Sequence, residues 1–190
     1  MPDSSEDSDP KLALCLAALA RACEEAHFDV RQLREAPYLR LSAVFHQRSE
    51  GYALIRKATL WAAETHEYLY VYTPPALDLP LWRTIRDDVL TRGLACVRPH
   101  DEHMLSCISA VLLCRSWHED AATALRKERF SKSFLWGLRG WTRLRTLAIR
   151  LPASEGRPAA RICNTSAEKT LLPLIGSALS SLFTLQETDS

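Results

Sequence analysis

The span from Pro37 to Tyr72 constrains the fold most, because its apolar residues recur with the period of a strand. In Tyr38–Arg48, positions 39, 41, 43 and 45 are Leu, Leu, Ala and Phe, while 40, 42, 46 and 48 are Arg, Ser, His and Arg. Val44 is the one strong exception. A pleated chain with this pattern turns Leu41 and Phe45 inward and Arg40 and His46 toward solvent. Ser49, Glu50 and Gly51 offer a turn, with Gly51 free to take positive φ. Tyr52–Ala62 follows as a second strand with apolar residues on both faces, Leu54 and Leu60 against Ile55 and Trp61. A turn at Glu64–His66 then leads to a third strand, Glu67–Tyr72. Its alternate tyrosines suit a half-buried sheet surface, with their hydroxyls at the wet side.

At 190 residues and 47% hydrophobic, the chain has material for one core and needs no staples. A net charge of +1 provides no global field for nucleic acid or acidic membranes. The charge is unevenly placed. Residues 1–9 carry Asp3, Glu6, Asp7 and Asp9 without a base, whereas 126–150 carry eight bases against Glu128, a local +7. None of the six cysteines forms a CxxC pair, and most lie in apolar periodic segments, so they read as small buried hydrophobes. The acidic start lacks the basic region of a signal peptide. No run approaches the roughly 18 apolar residues of a membrane span. These features predict a soluble, reduced, cytoplasmic protein with no membrane partner.

Along the chain, residues 1–8 are expected to be disordered, 9–185 to form a single α+β domain, and 186–190 a loose tail. Asp9-Pro10 opens a helix whose stripe is Leu12, Cys15, Leu16, Leu19, Ala22, Cys23 and Ala26. His27–Ala36 reads as a polar connection anchored by Phe28, Val30 and Leu33. Asp78 and Pro80 start a second helix, with Gly93 as its C-terminal cap. His103–Ser116 is long and apolar enough for a central strand. Ser116–Glu119 has capping-box spacing for a third helix to about Arg129. Trp141–Leu151 and Ala159–Cys163 follow as strands. Thr165–Glu168 is a second capping box, and Pro173 should kink or divide the helix it opens. The fold expected is α+β, a mixed five- or six-stranded sheet with a three-stranded antiparallel meander, flanked by about four helices.

Three constellations could carry chemistry. His100, His103, Cys107, Cys114 and His118 are zinc-ligand types within nineteen residues. Strand parity puts His103 and Cys107 on one face and Cys114 on the other, and no familiar ligand pair is present, so no metal site is expected. Secondly, residues 10–116 resemble restriction-endonuclease-like domains in element order. Those enzymes need strand carboxylates and a lysine to hold Mg²⁺ and activate water. The groups on offer are Lys57, Glu64 and Glu67, with Leu69 where the lysine would stand. Thirdly, Arg139, Arg143 and Arg145 interleave with Phe130, Phe134, Trp136 and Trp141, a pattern that serves anions or nucleic acid. The plainer reading is a solvated basic face over buried aromatics. No GxSxG, GxGxxG or GxxxxGK motif occurs.

LWAAETHEYLYVY (60–72), DEHMLSCISAVLL (101–113), SKSFLWGLRGWTRLRTLAIRL (131–151) and CNTSAEKT (163–170) resemble an uncharacterised bacterial family, a domain of unknown function. The shared features are Glu67-Tyr68, His103-Met104, Gly140-Trp141 and Asn164. The resemblance implies no activity, and the residues leave the cofactor unknown. The reading it leaves is a ligand- or partner-binding domain, a homodimer through an exposed sheet face among its options. A polar pocket is expected near Glu64, His66, Glu67 and His103. The alternative is a metal-dependent hydrolase, or an inactive endonuclease-like domain acting on nucleic acid.

Overall fold

In chain order the elements are α1 (Pro10–Glu25), β1 (Asp29–Gln32), β2 (Leu39–Tyr52), β3 (Thr59–Tyr72), β4 (Ala76–Leu77) and α2 (Leu79–Cys96). β5 (His103–Cys114), β6 (Ser116–Trp117), α3 (Glu119–Arg126), β7 (Ser131–Ser133) and β8 (Trp141–Arg150) follow. β9 (Ala159–Cys163), α4 (Thr165–Glu168), α5 (Leu171–Leu179) and β10 (Leu185–Glu187) complete the series. This computed structural model describes residues 9–52, 59–101, 103–154 and 156–187, with backbone alone for 47–52 and 59–64.

The α+β class holds, with a larger sheet than expected: eight strands in the order β1-β2-β3-β5-β8-β9-β10, with β7 also on β8. β1, β2 and β3 form the antiparallel meander, but from other residues than predicted. The proposed turns at 49–51 and 64–66 lie inside one long hairpin, where Ser49 pairs with Ala63 and His46 with His66. Backbone pairing runs on through those polar residues, so the ladder continues. The meander's first strand is instead the stretch read as a connection. Val30 pairs with Ala43, and neighbouring Phe28 stacks on Phe45 with ring centroids 5.2 Å apart. A register shift at Arg40 puts Leu39 and Leu41 on opposite faces, each fully or almost fully buried.

β3, β5 and β8 run parallel, joined by crossovers through α2 and α3. Both crossing helices pack on one face, against Tyr68, Tyr70, Tyr72, Ile108, Leu112 and Leu144. The tyrosines are therefore buried, and two hydroxyls find partners on α2: Tyr68 on Cys96 O at 3.2 Å and Tyr72 on Asp88 Oδ2 at 2.6 Å. On the other face α1 and α5 cover Leu69, Val71, Val111, Leu147 and Ile149. Cys15 and Cys23 belong to that core, and burial pushes both thiols up to about 11, as expected of cysteines acting as hydrophobes. Among the described residues, no helix is long and apolar enough to cross a membrane.

Asp9 caps α1 and Asp78 caps α2, as the sequence predicts. Ser116-Trp117 is not a helix cap but β6, paired with β4, and His118 precedes α3 without a side-chain cap bond. The last helix divides before Pro173, and its cap is Asn164 rather than Thr165. Leu185–Glu187 pairs with β9 where a loose tail was expected from Gln186.

Gly93 is interior to α2, not its cap, because the helix must approach β5 closely there. A Cβ at this position would sit 2.6–2.7 Å from three atoms of Ile108. Gly93→Ala gains about 1 kcal/mol of helix propensity. Overpacking against a fully buried isoleucine costs about 1–3 kcal/mol. The variant is expected to unfold at lower urea than wild type. In an Ile108→Ala background the same substitution should become neutral or stabilising.

Candidate functional site

Polar side chains gather where β3, β5 and β8 begin. The register passes from Glu64 opposite His103 to Thr65 opposite Leu105, so Met104 is an extra residue on β5. That bulge turns His103 to the face of His66 and Ser106. A row of imidazoles results. The Nδ1 atoms of His46 and His66 face each other in contact across the hairpin. His66 stacks on His103 at 5.8 Å, and His100 lies 6.1 Å from His103. His103 is 3% exposed and both its nitrogens are engaged. Since a carbonyl can only accept, Nδ1 donates to Arg139 O (2.7 Å), and in the neutral ring Nε2 accepts from Ser106 Oγ (2.9 Å).

The opposite face carries a different cluster. Arg145 is only 3% exposed, and all three of its nitrogens donate. Nε reaches Ser109 Oγ (2.9 Å), Nη1 Thr170 Oγ1 (2.8 Å) and Nη2 Glu67 Oε2 (2.7 Å). Cys107 shares the face, and its thiol pKa is raised, chiefly by burial.

The four residues of the expected polar pocket are therefore not all together. His66 and His103 are neighbours. Glu67, one residue on, points to the other face. Glu64 pairs with His103 through the backbone, and its side chain lies outside the described residues, as does Lys57. Of the basic trio, Arg145 is buried, Arg143 half-buried and Arg139 exposed, the last paired with Asp101 at 3.2 Å. The sequence argument for His103 and Cys107 on one face fails, because the bulge at Met104 reverses their parity. Among the described residues, no three His, Cys, Asp or Glu form a ligand group for a metal ion.

The surface feature missed from sequence is the loop from Phe134 to Trp141. A single 3-10 turn, Leu135–Gly137, exposes Trp136 by 94% and Leu138 by 79%. Leu135, Trp141 and the bulged Met104 are exposed beside them. Phe134 N donates to Gly140 O (3.0 Å), and Arg139 N to Phe134 O (3.2 Å), closing the loop on itself. Leu135 and Trp136 both hold left-handed backbone, φ 48° and 53°. Each such residue costs on the order of 1–2 kcal/mol unless its surroundings impose it. The imposing contact is Gly140. At φ 73°, its missing Cβ leaves room for His103 O, His103 Nδ1 and Met104 O, all of which an added carbon would meet within 2.6 Å. The available signal was an apolar run, LWGLRGW, that fits neither a strand nor a helix period.

A separate cavity of about 250 Å³ lies between α1 and the β1–β2 edge, lined by Leu12, Leu16, Ala20, Leu33 and Arg40 among others. It contains none of these groups.

No curated protein and no solved structure matches the chain. A family model does match residues 16–157, which span β1 to β8 and include the histidine row, the Glu67–Arg145 ion pair and the exposed loop. The chain belongs to that family, a domain of unknown function designated DUF8052.

Proposed function

We propose that this chain is a binding domain, and that it docks through the 134–141 loop onto a partner protein offering an apolar cleft with an acidic rim. The carrying observation is Trp136, 94% exposed on a turn held in left-handed backbone. Indole, methionine and arginine are also residue types enriched at protein interfaces, indole and arginine among those that carry most of the binding energy. The rim is net basic: Arg129, Lys132 and Arg139 are exposed, with Asp101 paired to Arg139, and no acid occurs from 129 to 154. A second copy docked tip to tip would oppose like charges, which favours a different, acidic partner. Leu135, Leu138 and Met104 add aliphatic surface around Trp136 and Trp141, which suits an apolar cleft better than a run of stacked bases. Binding is favoured over catalysis because His103 is committed to Arg139 O and Ser106 Oγ, and Glu67 and Arg145 to each other.

A photocrosslinking residue in place of Trp136 should give a discrete protein adduct in the native cells, weakened by Arg139→Glu. The same residue at Leu182, exposed elsewhere, should not. Trp136→Ser should weaken the partner so identified by roughly 30-fold, as for a central tryptophan contributing about 2 kcal/mol. Identical adducts from both positions would defeat the proposal. So would loop-dependent binding to anionic vesicles or to a short single-stranded oligonucleotide without any protein adduct.

A further inference from the structure

We infer that His46 and His66 form a surface site for one divalent transition-metal ion of the class imidazole favours, Zn²⁺, Ni²⁺ or Cu²⁺. The two residues stand directly opposite on antiparallel β2 and β3, so the backbone ladder fixes their spacing. Their rings meet edge-on, 4.7 Å between centroids and 73° between planes, with the two Nδ1 atoms aimed at each other. Without a metal, one ring must carry hydrogen on Nδ1 and the other must not. Such a hydrogen bond is worth only about 0.5–1.5 kcal/mol net. An ion takes the lone pairs of both rings at once. It would open the contact to roughly 3.3 Å, the nitrogen span of a tetrahedral ion with bonds of about 2.0–2.1 Å. Small side-chain rotations supply that change. His46 is exposed, so water can reach the site and fill the remaining positions. His103 is not a third ligand, because Arg139 O and Ser106 Oγ engage both of its nitrogens. Among the described residues the site is thus a two-histidine clamp, with its remaining positions open to water. Its residues are separate from the set His100, His103, Cys107, Cys114 and His118 considered from sequence. The inference is independent of the docking loop.

Calorimetric titration with Ni²⁺ on the full chain tests this, in a Cys96→Ser background that removes an exposed thiol. One equivalent should bind. His46→Ala and His66→Ala should each lower affinity roughly tenfold or more, since a second ligand already in place acts at high effective concentration. His118→Ala, an exposed histidine elsewhere, should leave it unchanged. A readout without substitution guards against misfolded variants: in the unsubstituted chain, substoichiometric Cu²⁺ should broaden the ring protons of His46 and His66 before those of His118. Equal binding by wild type and both variants overturns the inference. So does loss in one variant alone, which would mean a single adventitious imidazole, or broadening that begins at His118.

Discussion

Asn164→Asp is expected to destabilise the fold by about 4 kcal/mol, although the two side chains have nearly the same shape. The edge of β8 is held by β7 at residues 141–143 and by β9 at 147–150, which leaves a gap between them. Asn164 fills it. Its backbone N–H donates to Thr146 O (3.0 Å), its Oδ1 accepts from Thr146 N (3.2 Å), and its Nδ2 donates to Leu144 O (3.1 Å). The same Nδ2 donates to Glu128 O (3.2 Å), and Oδ1 also accepts from Ala167 N (3.0 Å) to cap α4. Every donor and acceptor of this 1%-exposed side chain is thus matched. An aspartate keeps the two acceptor bonds but sets a carboxylate oxygen against two carbonyls. Each lost partner costs about 1–3 kcal/mol, and the charge adds its own desolvation. At roughly 2–4 °C per kcal/mol for a chain this long, melting should fall by about 10 °C. The pH dependence separates this account from simple loss of packing. Burial among carbonyls raises the variant's carboxyl pKa in the folded state. The native variant then binds more protons than the unfolded chain, and its stability falls as pH rises. The gap to wild type should narrow on acidification. A variant equally unstable at every pH, or as stable as wild type, would contradict the assigned bonds.

That asparagine also marks how far the sequence could be read. The helix start was visible one residue late, at Thr165, and Pro173 as the place where the helix divides, because capping and proline both act through local backbone rules. What Asn164 does for the edge of β8 depends on strands that meet only in three dimensions. The central strands were legible for the same reason as the helices. β5 and β8 are long apolar runs, and their length and composition identify them within a single stretch of chain. β1, β7 and β10 are three or four residues each, too short for a period to register. The long hairpin was misdivided because Ser49-Glu50-Gly51 has turn composition, and composition cannot report the cross-strand partners that keep those residues extended.

The candidate site fared differently for one geometric reason. Strand residues alternate faces, so a pocket assembled from neighbours in sequence separates when the strand forms. His66 and Glu67 are adjacent in the chain and lie on opposite sides of the sheet. A single extra residue, Met104, then reversed His103 against Cys107. Arg145 leaves the basic surface for a related reason. Arg145 looks like its neighbours in the sequence, but three strands deep in the sheet it has become an internal group.

The depth of Arg145 yields the other large expectation, and an unequal one. Glu67→Leu should cost about 3 kcal/mol or more, because it strands a guanidinium that is 3% exposed with two hydroxyls and no counter-charge. Arg145→Met should cost less, about 1 kcal/mol. The carboxylate it leaves behind is 28% exposed and can turn toward water. The double variant should recover most of the loss, since an apolar pair of similar volume avoids two desolvation penalties. Urea unfolding of the four proteins gives the coupling directly. It should amount to about 2–3 kcal/mol and change little with added salt, which screens exposed pairs far more than buried ones. Additive single effects would mean that the two groups do not depend on each other and that Arg145 is anchored by Ser109 and Thr170 alone. Strong coupling means that Glu67 is the fixed counter-ion of a buried base. It is then no reserve ligand or general base, and the search for what this domain binds belongs at the surface.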